Sequence, residues 1–256
     1  MRAWLILTLL LCRAPGWAAD PKYGPTEMPL ATPLSQDNAY FRAPGHLAPD
    51  FWRLDSFYVP QINGYDCSAA AVSMALNALL NVGRPRGAQD KNITQQELLD
   101  KVKGDWQALP FARSLGGKRG LSLDQLEGFL RAGLAAYSQA KFLVEKHEAA
   151  ASGDEELKEL RRALMENEKD PNDLIVAHFV QDDLTHDKGG PFAHISPIGA
   201  YDAAAKRVLI FDVDREWYEP YWVPDEALLK AMAHETKAFG HGGYIRVSKL
   251  GILNAP

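Results

Sequence analysis

The pattern of apolar positions changes between the two halves of the chain. In the first half, a segment rich in Ala and Leu, with no Gly or Pro, predicts a buried helix over Cys67–Leu80 that ends near Gly83. In the second half, apolar and β-branched segments predict an antiparallel meander. The predicted strands lie at 174–180, 195–201 and 206–213, followed by a helix at 224–234 and a closing strand at 242–247. A helical first half followed by a strand-rich second half indicates the α+β class.

Three further helices are predicted from capping boxes, in which a hydroxyl caps the first turn and a Glu or Gln three residues later reaches back. The pairs are Thr94 with Glu97, Ser122 with Gln125, and Ser152 with Glu155. The last of these predicted helices is highly charged, so we expect its polar face to be solvated.

The N-terminal residues are typical of an export signal. Arg2 provides a positive start, residues 3–12 form a short apolar stretch, and 16–18 offers a cleavage site with small residues. The apolar stretch is far shorter than the roughly 20 residues that span a bilayer, although a membrane anchor or lipidation at Cys12 stays open. We therefore predict a signal peptide at 1–18, export to the periplasm or the extracellular space, and no membrane attachment after cleavage.

The rest of the chain divides at a change in proline content. Prolines are dense up to residue 49, which disfavours helices and central strands and predicts an extended arm over 19–50. We expect the folded domain to span 51–256.

The composition of the chain argues against several classes of function. The 256 residues are 46% hydrophobic and 24% charged, which is ordinary for a globular protein. The net charge is -5 and no run rich in Lys or Arg occurs, which argues against nucleic acid as a partner. The two cysteines, Cys12 and Cys67, are too few for a disulfide framework or a multi-cysteine zinc site.

Cys67 is the candidate nucleophile. It falls at the N-terminus of a predicted helix, where unpaired N–H groups and the helix dipole favour the thiolate over the thiol. Gln61 lies six residues upstream, so its side-chain amide is a candidate partner for the Cys67 N–H in holding an oxyanion. The simpler alternative is that Cys67 is a small buried packing residue.

A base and an orienting acid are available in the predicted meander. His194 begins one strand and Asp212 ends the next, so an antiparallel pair can bring the two side chains together. Alternatively, Asp212 is a plain turn residue at a strand end. A zinc enzyme built on His178, His186 and His194 lacks any recognised ligand spacing, so we predict no metal site.

Two blocks of sequence resemble the phytochelatin synthases, a family of papain-like cysteine transferases. The first block is 59–70 with 76–79, around Cys67, and the second comprises 194–201, 208–215, Tyr218, Pro220, 222–224 and 228–229. The resemblance covers roughly residues 50–250 and does not include the Cys-rich C-terminal region of plant members. It implies a papain-like catalytic domain, with a helical half carrying the cysteine and an antiparallel-sheet half carrying the histidine and aspartate.

The resemblance also implies a role for each matching residue. The implied roles are nucleophile for Cys67, general base and acid for His194, orienting acid for Asp212, oxyanion donor for Gln61, and substrate-binding positions near the cleft for Arg215 and Tyr218. In the family, the thiolate cleaves the Cys-Gly bond of glutathione, releases glycine and leaves a γ-glutamylcysteinyl thioester. Transfer to a second glutathione makes phytochelatin, and transfer to water makes γ-glutamylcysteine.

The resemblance implies glutathione or a related γ-glutamyl thiol peptide as the substrate and no protein-held cofactor. Heavy-metal thiolates of glutathione stimulate the family as substrates. The sequence leaves open whether the chain forms a homodimer. Two other functions also remain open: a secreted cysteine peptidase acting on other small peptides, and a non-catalytic thiol- or metal-binding protein that uses Cys67 with His194.

Several positions depart from the family pattern. Asp66 stands where an aromatic residue is usual, Ser68 and Ala193 stand where glycine is usual, and arginines expected within 178–188 and 242–244 are missing. Arginine is a common partner of substrate carboxylates. We therefore expect an altered acceptor site, with water as the usual acceptor of the acyl group.

Overall fold

The computed structural model describes residues 30–81, 86–103, 120–185 and 190–250. The predicted signal peptide and the first part of the proline-rich segment lie outside these ranges. Within them, no helix is both long enough and apolar enough to cross a membrane.

The described chain combines helices with one antiparallel sheet, which confirms the α+β class. The α-helices are α1 (Pro49–Asp55), α2 (Cys67–Leu80), α3 (Gln95–Lys101), α4 (Leu123–Tyr137), α5 (Asp154–Asn167), α6 (Asp182–Thr185) and α7 (Asp225–Ala233), with a 3-10 helix at Ala39–Arg42. The strands are β1 (Thr32–Pro33), β2 (Phe142–Glu148), β3 (Asp173–Val180), β4 (Ala193–Asp202), β5 (Arg207–Ile210), β6 (Tyr221–Pro224) and β7 (Gly243–Lys249).

The sheet has the strand order β1-β6-β5-β4-β3-β7-β2, with antiparallel pairing throughout. The predicted meander forms its centre as β3, β4 and β5, and the predicted closing strand is β7, which lies between β3 and β2. Strand β2 was not predicted. Its sequence ends in Glu-Lys-His-Glu, and it occupies a sheet edge, where charged side chains reach water and discourage pairing with other chains.

Two helical layers cover the sheet. Alternate residues of β3 point to opposite faces, so Leu174 joins the core around α2 while Ile175 joins the core under α5 and α7. Because both faces are covered, all of β3 is buried, which explains why most of its residues are apolar. Helix α2 contacts α1, α3, α4 and the sheet, so it is buried on all sides.

The helix starts are confirmed at two of the three predicted capping boxes. Thr94 and Ser122 each accept from the backbone N–H three residues on, and the partner side chains Glu97 and Gln125 reach back. The third capping box was wrong, because α5 begins one residue later than the box requires. Its N-cap is Gly153 with no side-chain cap, and acidic residues fill the first turn, where they face the positive end of the helix dipole.

The described part of the proline-rich segment lies against the sheet. Strand β1 pairs with β6 at the sheet edge, and Tyr40 of the 3-10 helix is buried. Tyr40 and Ala48 both donate hydrogen bonds to Glu168 at the end of α5. Residues 30–48 are thus bound to both the sheet and α5.

Candidate active site

Cys67 is the first residue of α2, as the sequence predicted. Its side chain is buried, with 7% of the residue exposed, and it belongs to the apolar core around α2. It is also a hydrogen-bond partner of His194. This polar contact goes beyond simple packing and places a thiol at a helix N-terminus next to a base.

His194 and Asp212 come together because β4 and the segment after β5 run side by side. The Phe211 N–H donates to the Pro197 carbonyl at 2.9 Å, which keeps the chain beside β4 beyond the end of β5. Asp212 therefore faces His194, and its Oδ1 lies 3.0 Å from His194 Nε2. The structure brings Cys67, His194 and Asp212 into one chain of contacts.

Asp212 accepts hydrogen bonds on both carboxylate oxygens. Besides His194, Oδ1 accepts from the Asp214 backbone N–H at 2.8 Å, and Oδ2 accepts from Gln181 Nε2 at 2.8 Å and from the Tyr221 hydroxyl at 2.9 Å. These donors fix the carboxylate and satisfy a buried charge.

The pKa values of the buried pair are shifted by each other. Burial alone would lower the pKa of His194, but the charge of Asp212, its hydrogen bond and the contact with Cys67 outweigh burial and hold that pKa well above 6.5. Burial alone would raise the pKa of Asp212, but His194 and the other donors hold it below its usual value. The pair therefore favours an imidazolium next to a carboxylate.

Ser196 also contacts the histidine. Its hydroxyl lies 3.0 Å from His194 Nε2 and 3.4 Å from the Val213 backbone N–H. Since Asp212 and Ser196 both occupy Nε2, the other ring nitrogen, Nδ1, remains for the cysteine sulfur. This is the orientation in which the acid and the nucleophile bind opposite edges of the ring.

Gln61 lies on the loop that leads into α2. Its backbone N–H donates to the Val213 carbonyl at 2.9 Å, and its side chain hydrogen-bonds to Asp214. The amide has two N–H groups, so a second donor remains for an oxyanion. Gln95 of α3 fixes this loop, because its amide accepts from the Ile62 N–H at 3.2 Å and donates to the Pro60 carbonyl at 2.7 Å.

A cleft of about 530 Å³ opens in front of these groups. Its lining residues are Gln61, Gly64, Tyr65, Gln181, Pro191, Phe192, Ala193, His194, Asp214, Trp217, Ala238 and Phe239. No Lys or Arg is among the described residues that line the cleft. Aromatic side chains form much of the wall, and Phe192 and Trp217 are about half exposed at 49% and 57%.

The two predicted substrate-binding residues are not among the residues that line this cleft. Arg215 is exposed, and its guanidinium lies over the Tyr58 ring at 4.3 Å. The Tyr58 hydroxyl in turn donates to the backbone carbonyl of Asp212. Tyr218 is buried, and its hydroxyl donates to Thr185 Oγ1 at 3.2 Å. Arg215 thus contacts Tyr58 outside the cleft, and Tyr218 is buried away from the cleft surface.

The side chains that hold the predicted residues in place were not predicted from the sequence. These are Gln181, Ser196 and Tyr221 around the histidine and aspartate, and Gln95 behind the loop. One signal was available: Gln181 directly follows the strand predicted to pair with the strand of His194. The others become neighbours only through the strand order and the packing of α3.

Within the described ranges, no group of three or more His, Cys, Asp or Glu side chains is arranged to hold a metal ion. Of the histidines in the zinc alternative, His178 is buried, and burial lowers its pKa to about 4, so its ring is neutral. His186 lies outside the described residues.

The fold and the arrangement of cysteine, histidine and aspartate define a candidate cysteine-nucleophile site. A sequence model of the family described as "Phytochelatin synthase" matches residues 37–244, which is most of the chain. The chain belongs to the phytochelatin synthase family.

Curated relatives come from plants. The chain is 28% identical over 206 residues to glutathione gamma-glutamylcysteinyltransferase 1 of Lotus japonicus, covering 78% of this chain and 36% of the relative. It is 26% identical over 206 residues to glutathione gamma-glutamylcysteinyltransferase 1 of Arabidopsis thaliana, covering 78% of this chain and 37% of the relative. The match thus spans little more than a third of the length of these relatives.

Proposed function

We propose that this protein is a papain-like cysteine enzyme that cleaves glutathione at the Cys-Gly bond through a γ-glutamylcysteinyl thioester. The observation that carries the proposal is the contact chain from Cys67 at the start of α2, through His194, to the fully hydrogen-bonded Asp212. The family membership and the activity in the relatives' names supply the substrate class.

In the first step, the Cys67 thiolate attacks the carbonyl carbon of the cysteine residue of glutathione. The electron pair moves onto the carbonyl oxygen, and the Cys67 N–H with the Gln61 amide stabilises the resulting oxyanion. When the intermediate collapses, the C–N bond breaks and His194 gives its proton to the leaving glycine nitrogen. The acyl group stays on the sulfur as a thioester.

In the second step, His194 takes a proton from the acceptor. Water then attacks the thioester carbonyl, the C–S bond breaks, and γ-glutamylcysteine leaves while the Cys67 thiolate is restored. Asp212 keeps the imidazole oriented in both steps and stabilises its charged form.

Water is the acceptor that the cleft favours. Transfer to a second glutathione requires a site for two more carboxylates, and no Lys or Arg is found among the described residues that line the cleft. At millimolar glutathione we expect γ-glutamylcysteine and glycine as the main products, with phytochelatin minor, both with and without cadmium or zinc.

Mass spectrometry of the products at early time points tests this expectation. Phytochelatin as the dominant early product would show that an acceptor site exists. Cleavage of other small peptides with little action on glutathione would instead support the second candidate, a cysteine peptidase that uses the same residues. Because no Lys or Arg is among the described residues that line the cleft, the cysteine peptidase remains the second candidate.

We also propose that the protein is exported after cleavage of residues 1–18. The proposal rests on the apolar stretch at 3–12 and the small residues near Ala18. The protein recovered after export should have the mass of a chain that begins at Ala19, within one residue. Recovery with an intact Met1, or with a lipid on Cys12, would contradict it.

A further inference from the structure

The cleft wall beside His194 carries a carboxylate that the proposed mechanism does not use. Asp214 lies two residues after Asp212, is partly buried, and lines the cleft. Its backbone N–H donates to Asp212 Oδ1 at 2.8 Å, and its side chain accepts a hydrogen bond from Gln61. The carboxylate is therefore held near both the histidine and the oxyanion donor.

No Lys or Arg is among the described residues that line the cleft beside Asp214. The charges that act on Asp214 are that of His194, which is already paired with Asp212, and the like charges of Asp212 and Glu216. Aromatic rings surround the rest of the opening, at Tyr65, Phe192, Trp217 and Phe239. Such walls reduce the access of water, so a charge on the substrate is poorly screened there.

The leaving residue of the substrate occupies this side of the cleft. His194 must reach the leaving nitrogen to protonate it, so the residue that carries this nitrogen lies against His194 and its neighbours. Asp214 is one of these neighbours. In glutathione the leaving residue is glycine, whose carboxylate is attached one carbon away from the nitrogen, so it faces a group of the same charge.

We propose that Asp214 is a specificity-determining residue that disfavours a free carboxylate on the leaving residue. The inference rests on the proposed function and names its substrate class more narrowly. The preferred substrate is a γ-glutamylcysteinyl peptide whose leaving residue is neutral or cationic, such as an amide, an ester or a residue with a basic group. Glutathione itself is then a slower substrate because its glycine carboxylate meets Asp214.

The test compares glutathione with its glycine ethyl ester, in which a neutral ester with an added ethyl group replaces the negative carboxylate. For the wild-type enzyme, we expect kcat/KM to be roughly tenfold higher for the ester, as repulsion at short range in a partly dry cleft implies. In Asp214→Asn this preference should largely disappear. The asparagine oxygen can still accept from Gln61, and any general loss of activity cancels in the ratio.

Glu226→Gln is the matched control. Glu226 is an exposed acid on α7 and is absent from the cleft lining, so this variant removes the same charge outside the site. It should keep the wild-type preference for the ester. Equal kcat/KM values for the two peptides in the wild type, or an unchanged preference in Asp214→Asn, would overturn the inference while leaving the proposed function intact.

Calorimetric binding to Cys67→Ser separates the two proposals. This variant has no sulfur and cannot form the thioester, and its hydroxyl is a much weaker nucleophile than a thiolate, so the dissociation constants of both peptides can be measured without turnover. If the wild type cleaves neither peptide, the proposed function fails. The inference is still supported if Cys67→Ser binds the ester more tightly than glutathione and if adding Asp214→Asn removes this difference. Equal binding, or no binding of either peptide, overturns it.

Discussion

Replacing Cys67 by alanine should lower kcat/KM for glutathione cleavage by at least about 10⁴-fold, because the variant has no nucleophile for the thioester. His194→Ala should cost nearly as much, since nucleophile and base act as one unit. The measurement is release of glycine and γ-glutamylcysteine under conditions in which the wild-type rate is linear. Cys67→Ser, which keeps most of the volume of the side chain, should be similarly inactive.

Two controls separate this loss of chemistry from loss of folding. Ser73→Ala changes a buried residue of the same helix whose hydroxyl donates to the Ala70 carbonyl at 2.9 Å, within the helix itself, so it should keep activity close to that of the wild type. Thermal unfolding of Cys67→Ser should remain cooperative, because the substitution removes only a little packing volume. Activity retained in Cys67→Ala would contradict the proposed mechanism.

The helix of the nucleophile and the central strands could be predicted because each carries its own local signal. Helix α2 is buried on every side and has the bounds that its composition predicted. The strands β3 and β4 are mostly apolar and almost entirely buried because helices cover both faces of the sheet. Strand β2 gave no such signal, since four of its seven residues are charged or histidine and it lies at an edge.

The closeness of His194 and Asp212 could be anticipated from antiparallel pairing, although β5 ends at Ile210, before Asp212, and the hydrogen bond from the Phe211 N–H to Pro197 continues the pairing beyond it. The surroundings of that pair could not. Tyr221 reaches Asp212 because β6 pairs with β5, and Gln181 does so from the end of β3 on the other side. Both contacts depend on strand order, which a single sequence does not reveal.

The hydrogen bond between Gln61 and Asp214 is a second feature that only the fold reveals. The sequence predicted Gln61 as a donor from its distance to the cysteine, but its acceptor lies more than 150 positions away along the chain. The arginines that the family pattern has near the histidine and the closing strand are missing from the sequence, and the altered acceptor site expected from this stays a prediction.

Replacing Asp212 by asparagine should lower the rate less completely than the loss of Cys67, by roughly 10²-fold. The asparagine oxygen can still accept from His194 Nε2 in place of Oδ1. The new amide nitrogen would then take the place of Oδ2, which now accepts from Gln181 and Tyr221. The Gln181 amide can turn its oxygen inward and the Tyr221 hydroxyl can rotate, so the substitution can be accommodated.

The same variant should move the alkaline limb of the pH profile to lower pH. The charge and hydrogen bond of Asp212 outweigh burial and raise the pKa of His194, so the imidazolium that pairs with the thiolate persists above pH 6.5 and is lost only at higher pH. Without that charge, burial dominates and the pKa of His194 falls, so activity is lost at a lower pH than in the wild type. Rates of glutathione cleavage measured across neutral and alkaline pH test this. As a control, Glu226→Gln removes an exposed charge on α7 and should leave the pH profile unchanged. An alkaline limb that stays in place or moves to higher pH in Asp212→Asn would show that Asp212 does not control the protonation of His194.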